Sequence, residues 1–116
     1  MEQSLDDLHD RASQRARTAL ARAHELSNRL AELRETQPGD AGIYDRAVGA
    51  ARLALTRAES AVKQAAVAHH TAAKLHRRTA EACDRAGRAD RAAEHRRLAI
   101  LDDAAGDADD AAVLGG

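Results

Sequence analysis

Two segments of the chain carry the same chemically competent residues in the same order. "LHRRTAEACDRAG" from Leu75 to Gly87 and "EHRRLAILDDAAG" from Glu94 to Gly106 match in register, pairing His76 with His95, Arg77 with Arg96, Arg78 with Arg97 and Asp84 with Asp103. Guanidinium groups hold carboxylates and phosphates through paired hydrogen bonds. Arg77, Arg78, Arg96 and Arg97 therefore form an anion or partner patch if their faces agree. The same pattern also describes two successive helix ends, whose arginines pair with Glu81, Asp84 or Glu94 on a solvated flank.

The six histidines raise metal chemistry. His69, His76 and Cys83 recur at seven-residue steps, but seven residues rise about 10.5 Å along a helix, too far for one ion. Chelation within a helix needs histidines three or four apart, and no pair here has that spacing. A site has to be built between helices from His9, His69, His70 and His76, where it would bind a transition metal or ligate haem. The Glu-x-x-His pair of di-iron bundles is missing.

Covalent catalysis has less to draw on. There is no Gly-rich phosphate loop and no nucleophile elbow, and Cys83 lies among alanines with no histidine four residues away. "HHTAAK" sets Lys74 four residues after His70 with no Gly following, a departure from the His-x-x-Lys-Gly of histidine phosphotransfer domains. That activity stays a lesser alternative. No enzyme is expected.

Helices must position all of these groups. Leu5, Leu8, Ala12, Ala16, Ala19, Ala23, Leu26, Leu30 and Leu33 follow at steps of three and four, which predicts a helix over about 4–36 with Ser4 as its N-cap. "QPGDAG" holds the single proline and is a turn. A second stripe, Ala47, Ala50, Ala54, Ala58, Ala61, Ala65, Ala68, Ala72, Leu75, Thr79, Ala82 and Ala86, predicts a helix over about 43–86, closed by Gly87. A third helix follows over about 90–112, overlapping an acidic C-terminal tail at about 102–116. Whether it passes through Gly106 is open. Short connections make neighbours antiparallel. The expected fold is all-α: a long coiled-coil-like helical hairpin with a third helix folded back, a three-helix bundle in a single domain. In that arrangement all three helices overlap near residues 63–75. His9 then falls opposite His69 and His70, with Asp6 or Asp10 as a neighbour.

Composition narrows the function. Thirty of 116 residues are Ala, there is no Phe or Trp, and Tyr44 is the single aromatic. Alanine favours helix and lets backbones approach, but it leaves a thin core, so self-association or a partner protein is expected. Sixteen Arg against two Lys, with so much Ala, suggests a high-GC bacterial genome. A net charge of −1 and the lack of stacking aromatics disfavour nucleic acid. One cysteine suits a reducing compartment, and no apolar run reaches the length of a membrane span or resembles a signal peptide, so the expected location is the cytoplasm.

The segment Gly87 to Asp103, "GRADRAAEHRRLAILDD", resembles the second helix of a tetratricopeptide repeat, with Ala92 and Ala99 at the close-packing positions and Ala80 at the small position of the preceding helix. The resemblance covers about 25 residues and implies one tightly packed helix pair. His76, Cys83 and Arg96 stand where that family prefers aromatic or other large side chains. The function these observations favour is non-enzymatic: a regulatory or scaffolding protein-interaction bundle, a homodimer or a partner-bound subunit, with no cofactor. Its contact seam is expected at Leu5, Leu8, Leu26, Leu30, Leu33, Leu55 and Val62. The alternative is a histidine-based metal or haem binder.

Overall fold

The computed structural model describes residues 5–36 and 39–115, apart from the side chains of Leu5 and Asp6. Three helices account for nearly all of them: α1, Leu5–Thr36; α2, Ala41–Arg85; and α3, Ala89–Gly115. α2 packs against both of the others, and α1 and α3 touch only where they overlap beside its middle. This is the all-α hairpin with a third helix folded back that the spacing predicts. The molecule is a rod of 70 × 26 × 15 Å. No helix among the described residues is long and apolar enough to cross a membrane. Ser4, Gln37 and Pro38, assigned above to a cap and a turn, lie outside the described residues.

Local chemistry explains the boundaries. α2 starts two residues earlier than its apolar stripe suggests because Asp40 caps it, accepting hydrogen bonds from the backbone N–H of Gly42 at 2.7 Å and of Ile43 at 3.3 Å. Asp40→Ala is expected to cost about 1 kcal/mol of stability. A urea melt checks this, and an unchanged midpoint would contradict it. At the other end Gly87 has φ 73°, while Arg88 donates to the carbonyl of Cys83 and Gly87 to that of Asp84. These are the two bonds of a glycine-closed Schellman motif.

α3 runs through Gly106 without a break, so the acidic segment expected as a tail is helical as far as Gly115. Its inward face explains why the sequence conceals this. Ala92, Ala99, Asp102, Gly106 and Asp109 are the buried positions, and two of those five are carboxylates. A helix that buries acids shows little apolar periodicity.

Small side chains form most of the interface. Ala16, Leu20, Ala58 and Val62 make a cluster against which Leu55, Ala112 and Val113 pack. α1 turns Ser13, Ala16, Leu20 and Ala23 inward, a face rotated from the leucine stripe of the sequence. Helices in contact through Ala and Ser come close, and large leucines are left at the shoulder. Leu8, Leu26 and Leu33 of the expected seam are accordingly about half exposed, at 48, 46 and 47%. Leu30 and Leu55 are partly covered by the chain itself. Val62 is wholly buried beside Leu20, so it belongs to the internal core and not to an outer seam. The side chain of Leu5 lies outside the described residues.

α2 shows the same rotation. Its covered stripe is Ala51, Ala58, Val62, Ala65, Ala66, His69, Ala72, Ala73 and Ala80. Ala50, Ala54, Ala61, Leu75 and Ala82 of the expected stripe are exposed, and Ala68 is half-buried. Ala58, Ala65 and Ala72 of the expected stripe are buried, so the covered face is that stripe turned part of the way round the helix.

Candidate functional site

Where the three helices overlap, the interior turns polar. His69, Val62, Asp109 and Ser13 are the largest side chains with essentially no exposure, and three of those four are polar. Burying such groups is costly unless each meets a partner. Ser13 on α1 donates its hydroxyl to Asp109 Oδ1 on α3, and Arg17 Nε lies 3.0 Å from the same oxygen. One buried carboxylate thereby joins the two helices that otherwise barely meet.

A second series of polar groups runs along α2 and α3. His69 Nδ1 donates to Asp102 Oδ1 at 3.1 Å. His69 Nε2 points the other way, 3.6 Å from Asp10 Oδ1 on α1. The other Asp102 oxygen lies 3.6 Å from His76 Nε2, and His76 Nδ1 is 2.9 Å from His95 Nδ1. Two ring nitrogens this close share one proton, so one donates and the other accepts. The doubled histidines of the repeated segment do face each other. Their nitrogens are in direct contact, and the rings of His9 and His69 meet edge to face with centroids 5.8 Å apart. Neither pairing holds open the gap that a porphyrin between two axial ligands requires.

The third set lies on the adjacent face. His70 Nδ1 donates to Asp103 Oδ1 at 2.9 Å, and Nε2 lies 3.3 Å from Asp110 Oδ2 and 3.6 Å from Asp107 Oδ1. The hydrogen bond to Asp103 is the largest influence holding the His70 pKa above its usual 6.5; the Asp110 hydrogen bond and the nearby charges add to it against partial burial. Asp103 is held below the ordinary carboxylate range by His70 and by Arg77, whose Nη1 donates to it at 2.7 Å. Asp103 engages Nδ1, and the carboxylates of Asp107 and Asp110 beside Nε2 repel a phosphoryl group. This geometry does not favour phosphotransfer at His70.

Three of the four arginines meet different acids. Arg77 is taken by Asp103, Arg96 by Asp84 and Arg97 by Glu94, and the acids involved come from the chain itself. Arg78 is exposed. The patch is a set of cross-helix and local ion pairs. Its acidic half was partly visible in the sequence.

Sequence reasoning brought together His9 and His69 by level but overlooked Ser13, Asp102 and Asp109, together with the carboxylates around His70. A signal for them existed. Antiparallel pairing of α2 and α3 sets residues 102–110, with five aspartates, beside 66–74, the stretch that holds His69 and His70. Reading the stretch as a solvated tail hid the match.

No family model matches the chain, and no curated protein or solved structure matches it significantly.

Proposed function

We propose that this protein is a cytoplasmic, self-associating helical module that acts by binding, with a second copy seated along α2. The observation that carries the reading is a second stripe on α2 beside the one that α1 and α3 cover, exposed at Ala54, Ala61, Leu75 and Ala82 and half-covered at Ala68. The open stripe repeats at 54, 61, 68, 75 and 82, a strict seven-residue period of Ala, Ala, Ala, Leu and Ala. Seven-residue repetition is the pattern of helices that wind around a like helix, and alanine lets the two backbones approach closely. Leu75 is 55% exposed at the centre of its half of the stripe, a cost in water that a second copy removes. Net charge of −1 leaves little long-range repulsion between copies. The shoulder leucines of α1 extend the apolar surface.

Ala61→Glu and Leu75→Glu test the placement. Both positions are exposed in the single chain, so helicity and folding are expected to stay as in the parent protein. Light scattering after gel filtration is expected to show dimers for the parent and single chains for both variants. Dimers of unchanged strength in both variants would place the contact elsewhere.

A further inference from the structure

We propose that His70, Asp107 and Asp110 form a binding site for a divalent first-row transition cation on the α2/α3 face. Both carboxylates stand at coordination spacing from the imidazole nitrogen. Metal bonds of about 2.0–2.2 Å place neighbouring ligands about 2.8–3.6 Å apart in tetrahedral or octahedral geometry. His70 Nε2 lies 3.3 Å from Asp110 Oδ2 and 3.6 Å from Asp107 Oδ1, and all three ligand atoms fall within 4.8 Å of one another.

The imidazole is prepared for that role. Its Nδ1–H is engaged by Asp103 at 2.9 Å, which directs the Nε2 lone pair at the two carboxylates once the Nε2 proton has left. Arg77 fixes the far oxygen of Asp103 at 2.7 Å. A carboxylate behind a ligating histidine orients the ring and strengthens it as a donor. Gly106 supplies an independent sign that the ring's position matters. A Cβ there would lie 2.6 Å from His70 Nε2 and 2.8 Å from Cε1, so the imidazole rests directly on the α3 backbone. Glycine in the interior of a helix is disfavoured, and in an alanine-rich chain it stands where alanine would push the ring away from Asp107 and Asp110.

The ligand set defines the cation class. One imidazole nitrogen with two carboxylate oxygens suits Zn²⁺, Co²⁺, Ni²⁺ or Mn²⁺; the absence of thiolate among these donors argues against soft ions, and the imidazole argues against Mg²⁺ and Ca²⁺. Asp107 and Asp110 are 76 and 54% exposed, so the remaining coordination positions face solvent and the bound ion exchanges with it. The aspartates sit three residues apart on α3 and His70 comes from α2, so one ion ties the two helices together.

Calorimetric titration of tag-free, chelator-treated protein with ZnCl₂, and an optical titration with CoCl₂, tests the site. One ion per chain is expected, with the His70 ring resonances shifting more than those of His24. Asp107→Asn and Asp110→Asn, both at exposed positions, are each expected to weaken Zn²⁺ by about tenfold or more while helicity is retained. Asp103→Asn is a positioning change and is expected to weaken binding about tenfold at unchanged stoichiometry. No binding of either ion at millimolar concentration would overturn the proposal. So would Zn²⁺ affinity unaltered in both Asp107→Asn and Asp110→Asn, since the ion would then sit elsewhere.

Discussion

Asp102→Ala is expected to destabilise the protein by about 3 kcal/mol, because it removes the acceptor of a buried hydrogen bond and opens a small void. Asp102 is only 4% exposed, and His69, with no exposure, donates to it. Once the carboxylate is gone, the Nδ1–H of His69 has no acceptor in its place and no direct route to water. His76, whose Nε2 lies 3.6 Å from the second oxygen, loses the same neighbour. Asp102→Asn keeps a carbonyl oxygen to accept from His69 and is expected to lose appreciably less. Urea unfolding followed by circular dichroism reads both variants. Equal stability of the parent and Asp102→Ala would show that the polar centre contributes nothing to holding α2 and α3 together.

Leu20→Ala is expected to cost a similar amount, about 3 kcal/mol. Leu20 is 3% exposed and packs with Ala16, Ala58 and Val62, next to Val113 of α3. In a core made of methyl groups it is one of few large aliphatic side chains, so no neighbour can move in to fill the space. Domains of this size commonly have about 5–15 kcal/mol in total, so the loss is a large share of the whole. Thermal melting would show a clearly lower midpoint with the helical signal intact at low temperature. A variant that melts with the parent would mean that α1 is held by something other than this cluster.

Particular residues show how much of this was legible in the sequence. The turn around Asp40, the Gly87 stop and the three-and-four spacing gave three helices, their antiparallel order and the zone in which all three overlap. The face each helix presents was less accessible. Alanine occurs on nearly every side of α2, so periodicity alone cannot tell the stripe covered by α1 and α3 from the one beside it. Tertiary contact decides, and it chose the stripe that contains Val62, His69 and Ala80. The polar centre was obscured for a related reason. Asp102 and Asp109 are acids whose burial depends on partners 33 and 96 residues away, His69 and Ser13, and no local pattern announces a pairing of that kind. His9 and His69 were placed together because antiparallel geometry needs only their distances from the turn.

Sedimentation equilibrium of the parent protein, run from low to high micromolar concentration, tests the central claim most directly. An open seven-residue stripe on α2 predicts a mass approaching twice 12.4 kDa as concentration rises. A mass fixed at 12.4 kDa across the whole range would contradict it.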